Sequence, residues 1–368
     1  MKQMTIKERI LSAYRNELPD QIPVTIYDRY LPRGSVEREL RDLGIGIVKY
    51  HPVVSMIAPP WHMGSGYLSE VKNTNMTVKY YWDNGTPVQR FTFETPVGTV
   101  FREISPDPAG AGSEHIRKHY ITDIEDYKII QYLVEHSVIK PRGKQGYLLK
   151  EELGDDGVIF GRLDRSPYQK CLIELAGAEQ FLIDMFTDPE PVSELLETLA
   201  HKMLSSLDMI ADTTPDIFWQ PDNITVDMTP PNSYETYCMP LYEKYKSRLS
   251  DTGIPYMVHM DGRIRGLADL IEKSSFDIIE SISYPCIGGD CTLTEARELL
   301  PSKVVIPNFP TNICYNTEDE IRDYTIALIE EAGKETPFVI SLSEDIPPSQ
   351  WKMLLPIVCK AVSEHGRY

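Results

Sequence analysis

No uninterrupted apolar run in these 368 residues approaches the roughly 20 needed to cross a bilayer, so a membrane-spanning helix is not expected. The opening residues, Met1 to Arg9, contain no apolar signal-peptide core. Cysteine is scarce. Six residues with no CxxC pair do not make a disulfide framework, and they point to a cytoplasmic protein with reduced thiols. Positive charge is also short: 37 Lys and Arg against 55 Asp and Glu leave a net charge of −18. That balance argues against nucleic acid, whose phosphates are held by clustered Lys and Arg, and against anionic membrane surfaces. There is no GxGxxG, P-loop, HExxH or GxSxG motif, no internal repeat and no low-complexity linker. Dinucleotide, phosphate-loop, metalloprotease and hydrolase-elbow chemistries therefore lose their usual support.

What is present is alternation. Apolar runs with strand character lie at Gln21–Ile26, Ile45–Tyr50, Gly157–Leu163, Asp216–Gln220, Pro255–Met260, Asp277–Ser281, Lys303–Asn308 and Phe338–Leu342. Helical patterns separate the later ones: Glu174–Phe186 with Pro191–Ala211, Tyr234–Ser250, Ile264–Lys273, Leu293–Leu300, Glu318–Ala332 and Ser349–His365. A further helix, Ile6–Arg15, precedes the first strand. Strand–helix alternation implies a parallel sheet, and eight strands are the number of a TIM-type (β/α)8 barrel. We expect an α/β fold in which residues 1–368 form a single barrel domain.

The stretch 71–104 breaks the pattern. Met76–Trp82 and Val88–Thr95 flank Asp83-Asn84-Gly85-Thr86, a hairpin turn, and Thr95-Pro96-Val97-Gly98 leads into Thr99–Ile104. We expect an antiparallel β-meander inserted between the second and third barrel strands, covering one mouth or packing against a partner. From Pro106 to Glu152 only one helix, Ile124–Val138, is expected.

In barrel folds chemistry is built at the carboxyl ends of the strands. Here those ends supply Tyr27, Asp28 and Arg29; Tyr50 and His51; Arg162 and Asp164; Asp222 and Asn223; His259 and Asp261; Glu280; Asn308; and Ser343, Glu344 and Asp345. The run Ile254–Gly262 is the most informative. His259 and Asp261, at i and i+2 on an extended segment, point to one side and can share an ion or a substrate group. Two plainer roles compete with that one: a buried histidine satisfied by a carbonyl, and an Asp261 that caps the following helix. Asp345 competes with Glu344 for any role, and both can be solvated loop acids. Asp222, Asn223 and Glu280 can contact substrate or orient a ligand. Cys286 and Cys291 form one isolated pair, read as a loop and not as a zinc site.

These residues carry a resemblance. Thr5–Val24 resembles the opening helix and first strand of the uroporphyrinogen decarboxylase superfamily, and Val258-His-Met-Asp-Gly262 resembles its His-x-Cys-Gly motif. Asp277–Ile282, Gly289–Arg297 and Phe338–Pro348 are similar to later segments, and the corrinoid-dependent methyltransferase branch is the nearer relative. That superfamily is a TIM-type barrel, in agreement with the strand count. In its methylcobalamin:coenzyme M methyltransferases a His and two Cys hold zinc; the matching positions here are His259, Asp261 and Glu344, so both thiolates are replaced by carboxylates. His with two carboxylates and an open position is an accepted catalytic zinc set. True decarboxylases pair two arginines around Arg-Tyr-Leu-Pro; here Arg29-Tyr-Leu-Pro32 stands without the upstream arginine.

The resemblance implies a zinc-dependent methyltransferase that moves a methyl group between a small molecule and a corrinoid protein, with cobalamin supplied by that partner. His259, Asp261 and Glu344 would hold zinc; Asp222, Asn223 and Glu280 would support the chemistry; Tyr27, Arg29 and Asn308 would contact substrate, with Arg29 on a carboxylate or phosphate. Two alternatives stand beside it. One is a metal-independent decarboxylase, with Arg29 on the substrate carboxylate and Asp222 or Asp261 against a cationic intermediate. The other is a barrel that has lost its chemistry.

Overall fold

A computed structural model describes residues 3–57, 69–106, 114–210 and 214–368. Fourteen strands occur among them: β1 (Val24–Tyr27), β2 (Ile45–Pro52), β3 (Glu70–Val71), β4 (Asn75–Asp83), β5 (Thr86–Thr95), β6 (Gly98–Pro106), β7 (Glu114–Lys118), β8 (Ser137–Val138), β9 (Gly157–Arg162), β10 (Ile217–Gln220), β11 (Tyr256–His259), β12 (Ile278–Ile282), β13 (Val304–Pro307) and β14 (Ile340–Leu342). The chain separates into two compact units. One comprises residues 1–51, 144–162 and 214–368; the other comprises 52–143 and 163–213.

The first unit holds the barrel. Eight parallel strands run in the order β13-β12-β11-β10-β9-β2-β1-β14, and a bridge between Asn308 and Ser341 brings the two ends together. All eight expected strands are present within a few residues of their expected bounds. Alternate residues fill the interior: Val48, Val158, Phe160, Ile217, Trp219, Met257, Ile278, Ile306 and Val339 form one buried cluster. The helix Ile6–Tyr14 closes it. A capping box of Thr5 and Glu8 starts that helix, and Ile10, Ala13 and Tyr14, at helical spacing, join the cluster. The later helices form where their patterns place them, Glu318–Ala332 to the residue. The last begins at Trp351, later than the Pro347-Pro348 pair suggests, because residues 348–350 form a turn.

The second unit contains the antiparallel sheet β4-β5-β6-β7 and the short pair β3-β8. The three expected meander strands are present. A fourth, β7, and the helix Gly143–Leu153, which falls in the first unit from Lys144 on, lie in the stretch expected to be mostly irregular. Glu114–Lys118 holds a single apolar residue, Ile116, too little to stand out as a strand, and Gly143 and Gly146 weaken the helical pattern. The expected helix Glu174–Phe186 is split. A wide turn, Lys170–Leu175, ends near Gly177, whose φ of +81° only glycine adopts cheaply, before Ala178–Thr187. Among the described residues no helix is long and apolar enough to cross a membrane.

Gly157 opens β9 because nothing larger fits: a Cβ there would lie 1.9 Å from the Ile47 carbonyl oxygen on β2. Gly157→Ala must push two barrel strands apart. We expect a loss of about 3 kcal/mol in denaturant unfolding, against about 1 kcal/mol for Ala at Gly154, where space is open and only the left-handed φ opposes a side chain.

Candidate active site

Strand geometry brings the site together. Trp219, His259 and Glu280 occupy inward positions on the adjacent strands β10, β11 and β12, and His259 is the register partner of Glu280. Glu280 is fully buried, and three donors converge on its carboxylate. Tyr27 Oη donates to Oε1 at 2.9 Å; Trp219 Nε1 reaches Oε2 at 3.3 Å; His259 Nδ1 lies 2.6 Å from Oε2. The other ring nitrogen, His259 Nε2, stands 3.5 Å from Asp261 Oδ2. The imidazole thus spans two carboxylates. Burial disfavours its charge, but Glu280 and then Asp261 outweigh burial and hold the imidazolium pKa up to about 10.

Asp261 is fixed from the neighbouring loop. Asn223 Nδ2 donates to Asp261 Oδ2 at 2.5 Å, the Asn223 backbone N–H donates to the His259 carbonyl at 2.9 Å, and Ser283 Oγ donates to the Asp261 carbonyl at 2.7 Å. Asn223 holds a left-handed φ of +53°, which Asn tolerates better than most residues. Gly262 lets this loop close, since a Cβ would meet Thr225 Cβ at 2.2 Å. Asp261 does not cap the next helix. Asp290 accepts from the Ile264 and Arg265 amides instead, leaving Asp261 to the site.

Glu344, half-buried, follows β14. Burial first, then the charge of Asp261, push its carboxyl up to about 7, with His259 opposing. The remaining expected residues scatter around this group. Tyr27 is buried as a partner of Glu280. Asp222, also buried, accepts from Tyr242 Oη at 2.7 Å and lies near Gln220. Arg29 is exposed, with its guanidinium 4.8 Å over the Tyr30 ring and hydrogen-bonded to Tyr50. Asn308 is buried; its Oδ1 accepts from Ser343 Oγ at 2.9 Å, while its Nδ2 has no partner among the described residues. Ser343 in turn lies 2.9 Å from Ser281, whose φ of +71° marks a strained position where the β12–β13 register shifts. Such strain costs about 1–3 kcal/mol.

Trp219 is a site residue that the sequence did not single out, and Tyr50 stood there only as a strand-end residue without a role. With Tyr27 they form an aromatic wall, with ring centroids 5.3–6.0 Å apart. Their apolar character inside or beside strands marks them as core; nothing local separates a wall from a core. Cys286 and Cys291 are free thiols, Cys286 in a short 3-10 turn.

The donors suit a metal in part. Two ligands of a tetrahedral zinc at about 2.0–2.2 Å stand about 3.3–3.6 Å apart, which matches His259 Nε2 and Asp261 Oδ2. A carboxylate on the other ring nitrogen, as Glu280 provides, is the usual support of a metal-binding histidine. Among the described residues no group of three His, Cys, Asp or Glu stands as a preformed cluster. Glu344 is close enough to exchange charge effects with Asp261 and His259, yet lies outside such a cluster.

The family model for uroporphyrinogen decarboxylase (URO-D) matches residues 115–365. The chain belongs to the uroporphyrinogen decarboxylase family. The match takes in six of the eight barrel strands and begins after β6, so most of the meander lies outside it. Among solved structures, a methyltransferase from Methanosarcina mazei superposes with a TM-score of 0.55 at 14% identity, over 98% of this chain and 99% of that one. At that identity the likeness is one of fold, and the fold is the same barrel. A muconate lactonizing enzyme from Pseudomonas putida aligns at 9% identity over 68% of this chain and 82% of its own, with a TM-score of 0.21 that bears on nothing. No curated protein sequence matches the chain.

The His259 pair predicts a pH signature. Its folded pKa near 10 lies above the unfolded value of 6.5, so its stabilisation is complete below pH 6.5 and is lost as pH rises through 10. Metal-stripped protein should lose on the order of 4 kcal/mol of unfolding free energy between pH 6 and 10 from this group. His259→Gln should flatten that segment of the curve in urea titrations. A wild-type curve already flat there contradicts the charge assignment. Glu280→Ala should cost about 3–5 kcal/mol at pH 7, because it strands a buried imidazolium.

Proposed function

We propose that the chain is a zinc-dependent methyltransferase that moves a methyl group between a small molecule and a corrinoid protein. The observation that carries this reading is the placement of His259, with Nδ1 on buried Glu280 and Nε2 at ligand spacing from Asp261. The shared barrel of the Methanosarcina mazei methyltransferase supports it. His259, Asp261 and Glu344 would hold the metal, which when bound acts as a Lewis acid on the heteroatom that loses or gains the methyl group.

The protein's own groups do the rest. Tyr27 and Trp219 occupy lone pairs of Glu280 and fix its plane, so Glu280 sets the rotation of the His259 ring. Asn223 holds Asp261 in the orientation that faces Nε2. Glu344, with a pKa near 7, holds or releases a proton under physiological conditions and suits a donor or acceptor whose charge changes as the methyl moves. The Tyr27–Tyr50–Trp219 wall offers an apolar face to a methyl group and keeps water off it. Asp222 stiffens the end of β10 through Tyr242. Arg29 at the strand end would hold a substrate carboxylate or phosphate, and Asn308 Nδ2 would donate to a substrate acceptor. We place the reaction in the cytoplasm, where a separate protein supplies cobalamin.

One observation favours a second reading, a metal-independent decarboxylase: the Glu280–His259–Asp261 chain is complete as a charged triad without a metal. Arg29 would then bind the substrate carboxylate and Asp261 would face a cationic intermediate.

Elemental analysis separates the two. Zinc near one per chain, lost in His259→Ala, together with methyl transfer from methylated corrinoid protein, supports the first; zinc-free protein that releases CO2 from a small acid supports the second. Zinc binding must also displace protons. Below pH 7 both His259 and Glu344 carry one, and between 7 and 10 His259 alone does. Affinity should therefore rise about tenfold per pH unit from 7 to 10 and about a hundredfold per unit below 7. Thiol alkylation should leave the zinc in place, and Glu344→Cys should make it alkylation-sensitive.

A further inference from the structure

Among the described residues, the antiparallel sheet of the second unit ends at β4 in an edge with no outer neighbour. β4 and β5 join through Asn84 and Gly85, whose φ values of +49° and +82° make the two-residue type I′ turn. In that hairpin Asp83 and Thr86 are a hydrogen-bonded pair, so the backbone groups of Asp83, Tyr81, Lys79 and Thr77 point to β5. Those of Trp82, Tyr80, Val78 and Met76 point outward, and among the described residues no strand lies on that side of β4. The edge is nine residues long, has no proline and pairs with β5 without a bulge, and Tyr80 and Trp82 stand 76% and 74% exposed beside it. Proteins rarely leave such an edge bare.

We propose that β4 is a self-docking edge, on which a second copy of this chain pairs antiparallel about a two-fold axis at Tyr81. The register follows from charge and hydrogen-bond parity. Centring the axis on Lys79 would set like charges opposite each other, and centring it on Tyr80 leaves Lys79 facing Tyr81. Centring it on Tyr81 sets each exposed Lys79 opposite the other copy's Asp83, twice over. It also makes Tyr80 and Trp82 hydrogen-bonded partners, which matches their outward backbone groups, and joins the exposed rings in two cross-strand aromatic pairs. Asp83 already binds Arg117 at 2.5 Å, so Lys79 adds to a carboxylate held in place. Two identical edges of this composition are self-complementary, as a two-fold interface requires.

The test uses the full chain with exposed Cys286 changed to Ser. At the axis Tyr81 is a non-hydrogen-bonded pair with itself, with Cα atoms about 4.5 Å apart, within disulfide range. Tyr81→Cys should form a disulfide-linked dimer under mild oxidation, and Lys79→Cys alone should not. Sedimentation should show a wild-type dimer, each of Lys79→Asp and Asp83→Lys should weaken it on the order of tenfold, and the double exchange should restore it. The charge variants sit on a surface edge, Lys79 exposed and Asp83 half-buried beside the turn, so they report even if Tyr81→Cys fails to fold. A wild-type monomer at the highest attainable concentration overturns the proposal. So does a dimer indifferent to both charge reversals.

Discussion

The buried carboxylate of Glu280 is the constraint on which the site depends. A charge with no solvent contact is tolerated only when donors surround it, and here the barrel supplies Tyr27 from β1, Trp219 from β10 and His259 from β11. Each of these groups is thereby fixed. Tyr27 and Trp219 become walls because their polar tips are tied down, and His259 acquires one ring orientation. Removing the carboxylate loosens three strands' worth of side chains; removing any donor leaves a charge partly unsatisfied. The closed sheet and the site are in this sense one structure.

The cost of that arrangement is visible next door. Ser281 follows Glu280 in a left-handed conformation inside a strand, at the point where the β12–β13 register slips. The slip lets β12 place Glu280 inward while Ser281 reaches Ser343 and, through it, Asn308. Strain of this kind persists only where surrounding contacts over-determine it. Glu280 and Asp261 flank the His259 imidazole, and Glu344 feels the charges of both, of Asp345 and of His259. Glu280 and Asp261 outweigh burial to raise the pKa of His259, and burial first, then negative charge, raises that of Glu344. That negative charge also makes the group receptive to a cation, whether a metal or a developing positive charge.

The barrel was legible in the sequence because each strand is a short apolar run bounded by polar loops, and each crossover helix has its own period. His259, Asp261 and Glu280 were legible as strand-end residues. Asn223 could be named but not assigned, since its bond to Asp261 depends on how two loops pack around Gly262. Asp290 was invisible as the cap of the Arg265 turn, because it lies 25 residues downstream of the amide it satisfies. Residues 114–118 and 143–153 were missed for a local reason: a five-residue strand and a glycine-bearing helix carry too little periodicity to register.

By itself the sequence determined the alternation, the meander's hairpin turn, the acidic character of the chain and the identity of the ionisable residues at strand ends. These are properties of neighbours in the chain, set by side-chain period and backbone preference. Only the tertiary structure decided which of those residues meet. The hydrogen bond between Tyr27 and Glu280 joins positions 253 residues apart, and that between Trp219 and Glu280 spans 61. No local pattern encodes such contacts. They arise because closing an eight-stranded sheet turns alternate residues of every strand toward one axis, where burial obliges each polar group to find a partner.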